Sequence, residues 1–253
     1  MTRKLKTEGE GRGATRFRIR SREVSRIEAF SDVVFGFALT LLVVSLEVPH
    51  TFTELIADMR GFVPFAICFA IFGYVWWIHH EFFRRYGLQD GITATLNFVL
   101  LFVVVFYVYP LKFVFTGLFN QVAGPSAGRI STGEVAPWVE PQQAPGMMII
   151  YGLGYTVIFL VFVLLYAHAL RKRDELQLNT FEVFDTWTSL LESSTLAGVG
   201  ILSAATAALV PSHLAGLAGY VFFLIPIGMS VIGARRGAVR RKLQARVTEA
   251  PKS

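Results

Sequence analysis

The chain has 253 residues, 53% of them hydrophobic and only 17% charged, against about a quarter charged in ordinary soluble domains. Folds of this size leave much of their surface exposed, so a chain with 23 Phe carries more apolar surface than one water-soluble core can hide. A soluble enzyme and a disordered regulator are excluded, and an integral membrane protein is indicated. The formal net charge is +6, and the single cysteine, Cys68, lies in an apolar run, which excludes an intrachain disulfide and a CxxC motif.

Residues 1–28 are polar and basic and lack the cleavage pattern of a signal peptide. Six stretches beyond them approach the roughly 20 apolar residues needed to cross a bilayer: 29–48, 56–78, 92–111, 147–170, 188–210 and 214–234. Their apolarity is continuous and not alternating, which predicts helices over a barrel. Of the 24 Lys and Arg, 21 fall in segment 1–28, after span 2, after span 4 and in the tail 235–253. By the positive-inside rule both termini are cytoplasmic. The expected organisation is therefore an all-α membrane protein: a basic segment 1–28, a six-helix domain 29–234 with an extracytoplasmic loop 112–146, and a basic tail 235–253. Basic residues are not interleaved with aromatics in the tails, so nucleic acid is not an expected partner. Anionic lipid headgroups are. Small residues Gly200, Ala204 and Ala208 recur at i, i+4 and i+8 on span 5, a spacing that favours close helix packing.

Ionisable residues inside a span are costly and point to function. Span 1 opens Arg26-Ile27-Glu28-Ala29-Phe30-Ser31-Asp32. Glu28 and Asp32 share a helix face and would repel, so Asp32 needs donors from another helix. Span 2 ends Trp76-Trp77-Ile78-His79-His80-Glu81, where Trp77 and His80 are neighbours at i and i+3. They are the expected partners of Asp32, with interfacial anchoring as the competing reading. A metal site at His79, His80 and Glu81 is disfavoured, because adjacent helical residues project in different directions. Further along span 1, Phe37, Leu41 and Val44 fall at i, i+4 and i+7 on one face, with Thr40 beside them. Phe35, 200° from Phe37 on the wheel, is expected to face lipid.

The run Arg26-x3-Phe30-Ser31-Asp32, followed by an apolar stretch with Thr40-Leu41-Leu42, resembles the RxxxFSD signature of the transmembrane protein 175 family of prokaryotic and lysosomal potassium channels. The resemblance extends to Trp77, His79 and His80 and to Asn97 in span 3. It implies a potassium-permeable homotetramer without a pore-loop filter, lined by the first helix of each subunit. It also implies a structural network of Arg26, Phe30, Ser31 and Asp32 with Trp77 and His80. The pore face is then Phe37, Thr40, Leu41 and Val44, with Phe37 where the family uses smaller aliphatics at a narrow hydrophobic constriction. Potassium is the expected permeant ion, no cofactor or catalytic residue is expected, and a prokaryotic plasma membrane is the expected location. The alternative is a non-conducting scaffold or lipid-interacting protein of the same fold. A secondary transporter is disfavoured because paired Gly/Pro-broken helices are missing.

Overall fold

The computed structural model describes residues 17–21, 23–44, 50–52, 55, 56, 59, 62–123 and 139–249, with only the backbone of 44, 120–123 and 242–249. Among the described residues it is all-helical, with six long helices: α1 (Arg26–Val44), α2 (Phe62–Tyr86), α3 (Gly91–Ala123), α4 (Ala144–Arg171), α5 (Thr180–Leu209) and α6 (Leu224–Glu249). Short helical turns over Ser212–Leu214, Leu217–Tyr220 and Val221–Phe223 lead into α6. Among the described residues five stretches are long and apolar enough to cross a membrane: Phe62–Tyr86, Gly91–Phe119, Ala144–Arg171, Thr180–Leu209 and Ser212–Arg241. The 19-residue α1 carries Arg26, Glu28 and Asp32 and is not among them.

Local chemistry sets the helix starts. The Ser25 hydroxyl accepts from the Glu28 amide at 3.2 Å and caps α1. The Asp90 carboxylate accepts from the Thr93 amide at 2.8 Å and caps α3. Asn179 and Glu182 form a reciprocal capping box at α5. Gly87, at φ 59°, turns the chain out of α2 in a conformation that glycine adopts at low cost.

The third helix departs from the sequence expectation. It continues past residue 111 to Ala123, and α4 begins at Ala144, so the ends of the expected loop 112–146 are helical. Pro110 lies inside α3 without ending it, and Leu111 and Val114 just beyond are buried and hold the helix to its neighbours. Residues 124–138 of that loop lie outside the described residues.

Helices α4 and α5 approach closely through small residues. A Cβ added at Gly152 would lie 2.9 Å from the Gly200 carbonyl oxygen and 3.1 Å from the Ala204 Cβ. Two members of the small-residue stripe thus meet α4, whereas Ala208 is exposed. The main core lies between α1, α2, α3 and α4, around buried Phe35, Phe72, Phe82, Leu100 and Phe162.

Candidate functional site

Helix α1 has two unlike faces. Ser31, Phe35, Ala38 and Leu42 are buried on one, at spacings of four, three and four residues. Phe35 packs against His79, ring centroids 5.5 Å apart, so it belongs to the core and does not face lipid as expected. The reason is that α2 and α3 both pack on this side of α1, leaving no lipid-facing surface opposite Phe37.

The buried face is fixed by a directional hydrogen-bond relay. His79 Nε2 lies 2.8 Å from Asn97 Oδ1, and Asn97 Nδ2 donates to Ser31 Oγ at 2.9 Å. Ser31 Oγ in turn donates to the Ile27 carbonyl at 2.7 Å. Asn97 Oδ1 can only accept, which assigns the His79 proton to Nε2. His79 Nδ1 is left buried without a hydrogen-bond partner among the described residues. His79, Asn97 and Ser31 are each at most 1% exposed. One residue from each of α2, α3 and α1 therefore locks the three helices together.

A second set lies nearer the surface. Trp76 Nε1 donates to Asp32 Oδ1 at 2.8 Å, and Trp76 stacks on His80 with centroids 5.4 Å apart. His80 Nδ1 is 3.5 Å from the Glu28 carboxylate. This corrects the expected partnership: the indole that holds Asp32 is Trp76, while Trp77 is 55% exposed and its ring is tilted against His80 with centroids 6.3 Å apart. Consecutive helical residues point 100° apart, and spacing alone does not say which of the two meets α1. Arg26 is exposed, and the half-exposed Phe30 ring lies 5.7 Å from Phe98 on α3.

On the opposite face Val33 and Phe37 are 70% and 56% exposed, and Thr40 is exposed beside them. Thr40 Oγ1 donates to the Gly36 carbonyl at 2.9 Å, which leaves the oxygen lone pairs pointing away from the helix. Leu41 is partly buried and packs against the core at the edge of this face. The side chain of Val44 lies outside the described residues.

Residues 26–107, which hold the relay and both faces of α1, match the family described as endosomal/lysosomal potassium channel TMEM175. A potassium channel of Marivirga tractuosa is 41% identical over 236 residues, covering 90% of this chain and 93% of that one. The chain belongs to the TMEM175 family. The crystal structure of a variant of the potassium channel MtTMEM175, bound to a nanobody fusion protein, matches with TM-score 0.74 and 38% identity over 88% of this chain and 97% of that one. A TMEM175 homolog from Chamaesiphon minutus, described as a lysosomal potassium-selective channel, shares the fold at TM-score 0.53 and 24% identity, over 85% of this chain and 99% of that one.

Within this TMEM175 fold, three positioning contacts have no local sequence signal. Lys112 Nζ on α3 donates to the Leu42 carbonyl at 2.8 Å and satisfies a backbone acceptor in the last turn of α1. Asp90 ties the start of α3 to the end of α4, meeting His168 Nε2 at 2.6 Å and Lys172 Nζ at 3.0 Å. Burial works to raise the Asp90 pKa, but the Thr93, His168 and Lys172 hydrogen bonds outweigh it and hold the carboxyl well below the usual range. The segment just before α1 is pinned as well: Arg18 and Arg20 meet the buried Glu182 carboxylate of α5 at 3.1 and 2.8 Å. The same segment meets the α2 end, where the Arg84 carbonyl accepts from the Arg20 amide at 3.1 Å and Phe17 packs on Tyr86. Part of the basic excess read as topology is thus a latch on the segment that leads into α1. Among the described residues no group of His, Cys, Asp and Glu is arranged to hold a metal ion.

Proposed function

We propose that the chain is one subunit of a homotetrameric potassium channel in a prokaryotic plasma membrane, with α1 of each subunit lining the ion path. The observation that carries this reading is the asymmetry of α1. Its Ser31–Leu42 face is sealed into the subunit, while Arg26, Val33, Phe37 and Thr40, within about 60° of arc, stay exposed on the other. Charged and hydroxyl groups on one exposed stripe of a membrane helix fit a water-filled path better than lipid. Kinship with proteins described as potassium channels supplies the cation.

The chemistry follows from the two central positions. With its proton donated to Gly36, each Thr40 hydroxyl offers only acceptor lone pairs to the axis. Four such oxygens would replace part of a cation's hydration shell without a carbonyl filter. Phe37, one turn closer to Arg26, would make the narrowest apolar segment and gate by excluding water. The relay through Ser31, Asn97 and His79 holds α1 at the rotation that presents these side chains, and Asp32–Trp76 supports it near the entrance. By the positive-inside rule both termini would lie in the cytoplasm, where Arg235, Arg240 and Arg241 would meet anionic lipid at about 1 kcal/mol per well-placed residue.

The test is flux from the purified protein in liposomes under a potassium gradient. Potassium flux exceeding sodium flux, and raised by Phe37→Ser but not by Phe102→Ser on the exposed side of α3, supports the reading. Silence in the wild type that persists in Phe37→Ile would instead indicate a non-conducting scaffold. Phe35 is unsuitable as the control because it is 2% exposed and part of the core.

A further inference from the structure

Away from α1, a polar pocket of about 180 Å³ opens between α2, α5 and α6 at the end of the helices that the Lys/Arg distribution assigns to the cytoplasm. Carboxylates enter it from Glu81 and Glu192, guanidinium groups from Arg85 and Arg236, and aromatic rings from Tyr74 and Trp77. Ser189 and Ser193, each under a tenth exposed, place hydroxyl-bearing side chains on its α5 wall.

The charges are unevenly paired. Arg85 pairs with Glu81 at 2.8 Å, and Arg236 meets Asp185 at 3.1 Å. Glu192 has only a long approach to the same Arg236, at 3.8 Å. Among the described residues Arg236 is thus shared by two carboxylates, and Glu192, the carboxylate deepest in the span, is the more weakly held. An ammonium group would balance it, and Tyr74 and Trp77 offer ring faces of the kind that attract ammonium.

This pocket continues into a second, almost wholly apolar cavity of about 540 Å³. Tyr74 and Leu196 line both. The second cavity runs along the α2–α6 cleft over Ile71, Tyr155, Phe222 and Met229, toward the opposite end of the helices. A charged pocket at one membrane boundary that opens into an apolar groove along the span has the shape and polarity of a phospholipid.

We infer that the α2–α6 cleft binds a phosphatidylethanolamine. Its primary ammonium sits against Glu192 beneath Trp77 and Tyr74, its phosphate turns to Arg236, and an acyl chain fills the apolar cavity. The choice of headgroup follows from size and hydrogen bonding. The polar pocket holds roughly six waters at ~30 Å³ each, which suits an –NH₃⁺ group and its phosphate better than a trimethylammonium. The carboxylates and serine hydroxyls can accept all three ammonium protons. A phosphatidylglycerol would bring the same phosphate without an ammonium to offset it, to a site whose guanidinium groups are already paired with carboxylates. The site is separate from the ion path and does not depend on conduction.

The test is native mass spectrometry of the full-length protein titrated with phosphatidylethanolamine, phosphatidylcholine and phosphatidylglycerol of identical chains. The expected result is at least tenfold greater retention of phosphatidylethanolamine. Glu192→Gln, which keeps the side-chain shape, should abolish that preference, and Tyr74→Ala should lower retention of the same lipid in an otherwise normally assembled protein. Equal retention of the three lipids, or an unchanged preference in Glu192→Gln, would overturn the inference. So would a spontaneous disulfide between copies of Tyr74→Cys, because the cleft would then be covered by a second chain.

Discussion

Replacing Asn97 by alanine tests the positioning of α1 at its most buried point. The side chain is 1% exposed and makes two hydrogen bonds, one with His79 on α2 and one to Ser31 on α1. Hydrogen bonds between membrane helices average about 0.6 kcal/mol each, so losing both costs about 1.2 kcal/mol. The larger cost falls on His79, which is fully buried and already lacks a described partner at Nδ1. Without Asn97 neither ring nitrogen is satisfied, and a stranded buried polar group costs about 1–3 kcal/mol. The total is about 2–4 kcal/mol, or roughly 30- to 1,000-fold in the folding equilibrium at 1.4 kcal/mol per decade. Ser31→Ala loses one bond and strands no imidazole, so it should cost about 1 kcal/mol. Reversible unfolding in bicelles, run as a double-mutant cycle over Ser31 and Asn97, measures both. Asn97→Ala with wild-type stability would show that water or a helix shift replaces the relay, and the account of α1 rotation would fail. Asp32→Ala is the contrasting case. Asp32 is exposed in the single chain, so its bond to Trp76 is expected to be worth at most about 1 kcal/mol, less than a buried charge at this position would be.

Other outcomes follow from contacts outside the relay. Because the Asp90 pKa is depressed in the folded chain, its stabilising contribution is fully present above the unfolded carboxyl value near pH 4 and is lost as pH falls toward the folded value. Melting curves of the wild type should therefore lose stability below about pH 4 more steeply than those of Asp90→Asn, and parallel curves would refute this role. Gly200→Ala places a methyl group against the Gly152 carbonyl at 3.0 Å and should destabilise by about 1–3 kcal/mol. Gly198→Ala meets nothing within 4 Å and should be neutral or gain about 0.5–1 kcal/mol in the same unfolding assay.

Much of the fold could be read from continuous apolarity, because a helix that crosses lipid must be apolar along its whole length whatever it packs against. The signature at Arg26–Asp32 also announced a polar set at the start of α1. Facing could not be read in the same way. Phe35 and Phe37 are equally apolar, and nothing in either residue says that α2 and α3 close over Phe35. Trp76 and Trp77 differ only in direction, and direction depends on how α2 is rotated against α1. The extension of α3 past residue 111 was hidden because the burial of Leu111 and Val114 that carries the helix on is tertiary. The Arg18 and Arg20 latch on Glu182 spans more than 160 residues of sequence, beyond the reach of any local spacing rule.

The conducting face of α1 is the central claim, and cysteine accessibility tests it most directly. The native Cys68 is fully buried and gives little background. Single cysteines at Val33, Phe37, Thr40, Phe35 and Ala38 would be treated with a charged thiol reagent during potassium flux from liposomes. Modification should block flux in Val33→Cys, Phe37→Cys and Thr40→Cys and leave Phe35→Cys and Ala38→Cys unaffected. Block at Phe35 or Ala38, or flux indifferent to modification at all three exposed positions, would contradict α1 as the pore helix in this orientation.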